Sequence, residues 1–254
     1  MDALNALYSV TYEIDETYGG TPYHARLKAF LTEMQRRNTV IGGAMTDVKG
    51  DRSKSPRQQA DPDLYVHVSR RTPEGVFIRG AKAHQTGSLS AHQIIVLPTR
   101  AMGKDDKDYA VSFAIPADTK GLIHVVGRST LDMRELDGCD IGNAYYSKYC
   151  PTLIFDDVFV PWERVFMCGE TKYAGRLVTR FAKAHRMNCG GACKVGFADV
   201  IIGGTMLAAE YIGVEKVPHI QEKIIDMVRL SETSHACAIA AAMRGREEPK
   251  GSGV

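Results

Sequence analysis

The residues best suited to chemistry in this chain are a histidine and two cysteines at helical spacing. His185, Cys189 and Cys193 recur at every fourth position, so an unbroken helix would place them in one stripe. Imidazole and thiolate groups bind zinc or the iron of an iron–sulfur cluster. Gly190 and Gly191 could end that helix or let a cofactor approach the backbone. Two buried structural cysteines and a core histidine explain the pattern equally well, because free cysteines are commonly buried.

A polar loop and a polar turn are further candidates. The loop at residues 44–57 offers cations, hydroxyls and backbone N–H groups, which suit phosphate or pyrophosphate, although solvated surface loops have the same composition. The turn at residues 80–87 lies between two apolar strands, and it either lines a ligand cleft or simply ends a strand. The cations of the loop are Lys49, Arg52, Lys54 and Arg57, and the turn contains His84, Gln85 and Thr86.

Charge and motif content exclude several classes of protein. The chain carries 32 basic and 30 acidic residues, which argues against a nucleic-acid partner bound through its phosphates. The first residues lack the features of a signal peptide, and the apolar stretches are strand-sized, so we expect no membrane partner. Six cysteines without disulfide-like spacing favour the reducing cytoplasm. There is no GxGxxG or P-loop motif to support a dinucleotide or nucleotide fold of those types.

Hydrophobic periodicity divides the chain into three parts that position these candidates. The first part is helical, the second consists of short alternating strands typical of an antiparallel sheet, and the third is helical and rich in alanine. We interpret Asp156 and Asp157 as a turn between two of the strands. The order of helices, strands and helices predicts an α+β fold with segregated elements.

Five segments of the chain, taken in order, resemble one enzyme family. Together they are similar to the 4-hydroxybutyryl-CoA dehydratases (vinylacetyl-CoA isomerases), which belong with the flavin-dependent 4-hydroxyphenylacetate 3-hydroxylases. The resemblance covers essentially the whole chain, and the ordered set is far more specific than any one member. The segments are residues 5–15, 44–52, 79–87, 108–113 and 185–196.

The resemblance implies a fold, cofactors and an activity. It implies an acyl-CoA-dehydrogenase-like fold with the end of a helical domain at residues 1–40, a flavin-binding β domain at 41–166 and an incomplete helical bundle at 167–254. It also implies FAD, a [4Fe–4S] cluster, an acyl-CoA substrate and a cytoplasmic homotetramer. The implied enzyme is a lyase that dehydrates 4-hydroxybutyryl-CoA to crotonyl-CoA by a ketyl-radical route, with isomerisation of vinylacetyl-CoA.

The family's functional residues carry over to positions of this sequence. His185 corresponds to the cluster histidine and catalytic base, and Lys194 to a second catalytic residue. Cys193 corresponds to a cluster cysteine, and Cys189 is a further candidate ligand of the metal. The flavin-binding residues implied are Met45, Thr46, Asp47, Lys49, Gly50, Asp51 and Arg52 in the loop, and His84, Gln85 and Thr86 in the turn.

The chain also departs from the family pattern. Cys189 stands where the family has a tyrosine, and Cys150 aligns with an active-site glutamate. The other cluster cysteines are expected before Met1 and further catalytic residues beyond Val254, which indicates an internal piece of a longer enzyme. Two alternatives stay open: a flavin-dependent aromatic monooxygenase of the 4-hydroxyphenylacetate 3-hydroxylase type, or a non-catalytic truncated flavoprotein.

Overall fold

The computed structural model describes residues 2–127 and 150–253. Part of the predicted β domain, residues 128–149, lies outside the described residues. The helices are α1 (Asp2–Tyr18), α2 (Tyr23–Arg36), α3 (Thr171–Gly191), α4 (Cys193–Tyr211) and α5 (Pro218–Met243), and the strands are β1 (Ile41–Ala44), β2 (His67–Arg71), β3 (Gly75–Lys82), β4 (Gln93–Val96), β5 (Val111–Pro116), β6 (Leu122–Val125), β7 (Thr152–Pro161) and β8 (Val165–Cys168).

The chain forms two compact units. The first is Ala3–Thr179, and the second is Arg180–Val254 together with Asp2, so the division falls within α3. The first unit contains α2, all eight described strands and most of α1. The three-part division at residues 40 and 166 stays a prediction, and each unit is described by itself.

Two four-stranded sheets make up most of the first unit. One sheet has the order β1-β4-β5-β8 and the other β2-β3-β7-β6. Every neighbouring pair is antiparallel, as expected, except β1 and β4, which are parallel. A parallel pair requires a long crossover connection, and here residues 45–92, which include β2 and β3, provide it.

Strand β7 runs through the two aspartates that the sequence suggested were a turn. Leu153 and Phe155 are buried before them, and Val158 and Val160 after them. Asp157 has a φ of 53°, and the pairing of β7 with β3 shifts register between Ile78 and Gly80. The interpretation as a turn is therefore wrong, because an extra residue is accommodated as an irregularity within one strand.

Helices α1 and α2 are amphipathic, as the periodicity predicted. Leu7, Val10 and Ile14 of α1 are fully buried. On α2, Phe30 is buried with its ring 5.6 Å from that of Phe166 in β8. A helix with one apolar stripe is stabilised mainly by such packing, and this contact holds α2 against the first sheet.

The second unit leaves much apolar surface exposed on its helices. Phe197, Tyr211 and Met243 are each more than 60% exposed. The helical stretch Thr171–Tyr211, which includes the boundary of α3 and α4, is long and apolar enough to cross a membrane by length and composition. One such stretch is weak evidence, and the expectation of no membrane partner stays a prediction.

Candidate functional site

The two segments that the resemblance assigns to the flavin lie side by side in the first unit. Asp47 and Lys82 form an isolated antiparallel bridge. The Ala83 N–H donates to the Thr46 carbonyl over 2.8 Å, and the Gln85 Nε2 donates to the same oxygen over 3.1 Å. Segments almost forty positions apart in sequence are therefore fixed against each other at their backbones.

The polar loop beyond this bridge has a defined conformation. Lys49 and Gly50 both have left-handed backbones, with φ of 84° and 55°. Gln59, which is buried, accepts a hydrogen bond from the Asp51 N–H over 3.0 Å and donates to the Asp51 carbonyl over 2.7 Å. A Cβ at Gly50 would lie 2.7 Å from Gln59 Oε1. The amide of Gln59 therefore closes the loop, and Gly50 leaves room for it.

The polar turn is held in the same way. His84 has a left-handed φ of 59°, and the Gln85 N–H donates to the Pro151 carbonyl over 2.9 Å. The Thr86 hydroxyl lies 2.9 Å from the sulfur of Cys150. Next to the turn, the Ser88 hydroxyl is buried and has no hydrogen-bond partner among the described residues. A buried hydroxyl without a partner is a group that a ligand could satisfy.

The predicted flavin residues divide into two groups by orientation. Asp47 and Gln85 are each 3% exposed and bond to protein groups. The exposed side chains of Arg52 and His84, and the half-buried Lys49, form no hydrogen bond or ion pair within the described part of the chain. Cations and an imidazole free to donate suit the pyrophosphate and ring oxygens of FAD. The residues of this site therefore fit a dinucleotide flavin.

The remaining carboxylate of the loop is already engaged. Asp51 accepts hydrogen bonds from the Ser53 hydroxyl over 2.7 Å and from the Ser53 N–H over 3.0 Å. These bonds, with a smaller contribution from Lys54, lower the pKa of Asp51. Asp51 thus stays ionised, and its carboxylate binds the Ser53 N–H and hydroxyl of its own turn.

The candidate metal residues lie in the second unit, and they do not form one helical stripe. Helix α3 ends at Gly191, and Ala192, with φ of −121° and ψ of −78°, separates it from α4. His185 and Cys189 therefore belong to α3, whereas Cys193 is the first residue of α4. The single stripe required one unbroken helix, but the helix ends at Gly191, where the two adjacent glycines permit a break.

The contacts of His185, Cys189 and Cys193 show which of these candidate metal ligands lie close together. The sulfurs of Cys189 and Cys193 lie 3.2 Å apart. The His185 ring is half exposed and stacks on Phe181 with centroids 5.2 Å apart, and its Nδ1 lies 3.0 Å from an Asp2 carboxylate oxygen. Among residues 2–127 and 150–253, no three histidine, cysteine or carboxylate groups are placed to hold a metal ion. The described residues therefore do not fit a complete cluster site.

Lys194 lines an apolar cavity between α4 and α5. The cavity has a volume of about 290 Å³, and Met227 and Leu230 are among its walls. Ser231 also lines it, and its buried hydroxyl has no partner among the described residues. An apolar cavity with one cation and an unsatisfied hydroxyl is the composition expected of a small-molecule site.

Two residues of the site were missed as functional candidates from sequence. Lys82 falls on the buried side of β3, at the same alternation as Val76 and Ile78, and a lysine in such a series is the signal that could have revealed it. Cys150 was noted only as a departure from the family pattern, and no local pattern predicts its contact with Thr86. That contact depends on the fold bringing Cys150, two positions before the start of β7, to the polar turn.

Comparison with family sequences places the whole chain in one group. The amino-terminal part of the family described as 4-hydroxyphenylacetate 3-hydroxylase matches residues 1–167, and its carboxyl-terminal part matches residues 174–254. The 4-hydroxybutyryl-CoA dehydratase/vinylacetyl-CoA-Δ-isomerase of Clostridium aminobutyricum is 46% identical over 96% of this chain and 50% of its own length. The oxygenase component of 4-hydroxyphenylacetate 3-monooxygenase from Thermus thermophilus is 28% identical over 98% of this chain and 51% of its own.

Solved structures give the same assignment. An oxygen-tolerant 4-hydroxybutyryl-CoA dehydratase from N. maritimus has a TM-score of 0.86 and 47% identity, covering 100% of this chain and 50% of that one. The oxygenase component of 4-hydroxyphenylacetate 3-monooxygenase complexed with FAD has a TM-score of 0.77 and 27% identity, covering 97% and 50%. Butyryl-CoA dehydrogenase from Megasphaera elsdenii, at 17% identity and a TM-score of 0.57 over 87% of this chain and 53% of its own, shares the fold alone.

These comparisons confirm the resemblance and show how much of each relative's length the chain covers. The structure is a mixed one of helices and sheets, and its likeness to butyryl-CoA dehydrogenase supports the acyl-CoA-dehydrogenase-like fold. The chain spans about half the length of the relatives it matches. It belongs to the 4-hydroxyphenylacetate 3-hydroxylase family, and its relatives there at 46–47% identity are 4-hydroxybutyryl-CoA dehydratases.

Proposed function

We propose that this chain is part of a FAD- and [4Fe–4S]-dependent lyase that dehydrates 4-hydroxybutyryl-CoA to crotonyl-CoA by a ketyl-radical route and isomerises vinylacetyl-CoA. The observation that carries the proposal is the juxtaposition of the two assigned flavin segments around the bridge of Asp47 and Lys82. The 46% identity to a dehydratase over almost the whole chain supports the choice of reaction. Acyl-CoA binding, a homotetramer and a cytoplasmic location without a membrane partner are parts of the same proposal.

The residues of the first unit would bind and orient the cofactor. When bound, FAD supplies the one-electron chemistry needed to remove a hydrogen that is not acidic. Lys49 and Arg52 would neutralise its pyrophosphate, and His84 and Thr86 would donate to its polar edge. Met45, Thr46 and Gly50 would contribute backbone and side-chain contacts, while Asp47, Asp51 and Gln85 hold the two segments in shape.

His185 and Lys194 would act on the substrate. The Nδ1 of His185 lies 3.0 Å from an Asp2 carboxylate oxygen, so Nε2 is the nitrogen available to accept a proton from the substrate as a general base. Lys194 would donate to a substrate oxygen at the mouth of the apolar cavity, whose walls suit a short acyl chain. The cluster, with Cys189, Cys193 and His185 as partial ligands, rests on the relatedness to the dehydratases.

Anaerobic reconstitution of the full-length protein with FAD, iron and sulfide tests this function. We expect the protein to form crotonyl-CoA from 4-hydroxybutyryl-CoA, which chromatography of the CoA esters measures. The His185→Gln variant should form no crotonyl-CoA. A matched control is His219→Gln, which changes an exposed histidine on α5. A protein that binds FAD and iron but forms no crotonyl-CoA would contradict the assigned reaction.

A second candidate function is that of an aromatic monooxygenase. It is favoured by the cysteine at position 150 beside Thr86 and by monooxygenase relatives that cover most of this chain. Oxygen consumption with reduced flavin and 4-hydroxyphenylacetate, by an iron-free protein, would support it. A protein that binds FAD and performs neither reaction would instead be a non-catalytic flavoprotein, and one that binds no FAD would exclude all three.

A further inference from the structure

A lysine and an aspartate form a buried ion pair beneath the two flavin segments. Lys82 and Asp47 are 1% and 3% exposed, and the Lys82 Nζ lies 2.8 Å from Asp47 Oδ1. The same ammonium donates to the Met45 carbonyl over 2.8 Å and to the Leu97 carbonyl over 2.7 Å. An ammonium has three N–H donors, and each of the three has an acceptor here.

Lys82 and the two carbonyls that it binds follow or end three different strands. Lys82 ends β3 of the second sheet, whereas Met45 and Leu97 directly follow β1 and β4, which are parallel neighbours in the first sheet. Asp47 in turn accepts a hydrogen bond from the Val66 N–H over 3.0 Å. One ammonium therefore joins the ends of three strands from both sheets at the start of the polar loop.

Stability alone does not explain why these two charges are buried. Burial lowers the pKa of Lys82 and raises that of Asp47, each opposed by attraction to its partner. An apolar pair of similar volume is often as stable as a buried ion pair, or more stable, because it avoids the desolvation of both charges. What an apolar pair lacks is a donor that fixes two backbone carbonyls at once.

We propose that Lys82 is a positioning residue for the flavin site, holding residues 45–47 beside residues 83–85 through its bonds to Met45, Leu97 and Asp47. Lys82 does not touch the cofactor. It sets the backbone from which Thr46 and the side chains of the polar loop reach the flavin, while the Ala83 and Gln85 bonds to the Thr46 carbonyl align the polar turn with it. The inference rests on the proposed function, since it presupposes that FAD binds at these segments.

The deciding experiment compares stability with FAD affinity in the full-length protein. The double variant Lys82→Met/Asp47→Asn removes both charges and keeps a side-chain oxygen that can accept from the Val66 N–H, so we expect it to melt within a few degrees of the wild type. We expect its dissociation constant for FAD, measured by quenching of flavin fluorescence, to rise about tenfold or more, because the charge-assisted bonds that hold the loop are lost. A stable double variant that binds FAD as tightly as the wild type would overturn the role of Lys82.

A second comparison keeps the inference testable if the double variant does not fold. Lys82→Met alone leaves a buried, unpaired carboxylate and should lower both stability and FAD affinity. The matched control is Val160→Ala, which creates a cavity at a buried position of β7 outside both flavin segments. At a temperature where both variants are folded, only Lys82→Met should weaken FAD binding, and equal weakening would overturn the proposal. A wild-type protein that binds no FAD would refute the proposed function as well, so the two failures are distinguishable.

Discussion

The hydroxyl of Thr86 and the sulfur of Cys150 lie 2.9 Å apart, joining the polar turn to a residue two positions before the start of β7. Cys150 is exposed. The contact places an accessible thiol at the edge of the proposed flavin site. It therefore provides a chemical probe of whether the cofactor binds there.

Bound FAD should protect Cys150 from alkylation. At a flavin concentration ten times the dissociation constant, we expect iodoacetamide to modify Cys150 about tenfold more slowly, because only the small unoccupied fraction reacts. Peptide mass spectrometry measures the rate at each cysteine. Cys237, an exposed cysteine on α5, serves as the internal control and should react at an unchanged rate. Equal rates at Cys150 with and without FAD would place the flavin elsewhere.

The free cations of the polar loop should determine affinity for the FAD pyrophosphate. Lys49→Met and Arg52→Gln should each raise the dissociation constant for FAD about tenfold, since a hydrogen bond to a charged group is lost. Isothermal titration at two salt concentrations measures the effect, and the loss should be smaller at high salt. Lys120→Met, which removes an exposed cation from another turn, is the control and should leave binding unchanged.

Gly50 should tolerate alanine much less well than Gly43. At Gly50 the backbone is left-handed and a Cβ would crowd Gln59 Oε1, so Gly50→Ala should cost about 1–3 kcal/mol of unfolding free energy. Gly43→Ala adds a methyl where no atom lies within 4 Å and should change stability by less than about 0.5 kcal/mol. Urea denaturation compares the two. An equal effect would show that the loop is not closed as described.

His24 should make the first unit sensitive to mild acid. Burial against Tyr8 and Tyr12, aided by Lys28, lowers the pKa of His24 below its ordinary 6.5. The unfolded chain therefore binds this proton first, so the contribution of His24 to stability is complete above pH 6.5 and decreases as the pH falls below it. Urea denaturation between about pH 8 and pH 5 measures the slope. His24→Gln should reduce the slope, and an unchanged slope would contradict the assignment.

Sequence was sufficient where local pattern determines structure. Helices α1, α2 and α5 follow their apolar periodicity, and β3 follows its alternation, whereas β4 and β5 form where strands were expected but are buried on both faces. It failed at Asp156 and Asp157, because two polar residues in succession look like a turn, whereas pairing with β3 carries the strand through them. The parallel pairing of β1 with β4 has no local signal either, since it depends on the long connection between them.

For the candidate site, the segments could be predicted from sequence, but the contacts of their side chains could not. The resemblance identified the polar loop and the polar turn, and the structure brings them together. The resemblance could not indicate that the side chains of Asp47 and Gln85 are buried, because buried and exposed positions in irregular segments have no fixed period. Lys82 was overlooked because a lysine is normally exposed, and the use of its ammonium becomes clear only when the fold brings two other chain segments, residues 45–47 and Leu97, to it.

The closure of the polar loop by Gln59 has a kinetic consequence. Its amide already holds both the N–H and the carbonyl of Asp51, so the cofactor does not have to order this backbone as it arrives. Binding should then follow a single exponential whose rate rises in proportion to FAD concentration, without a slow isomerisation after encounter. Differences in affinity among variants that keep both the closed loop and its charge should consequently reside in how fast FAD leaves, and not in how fast it enters.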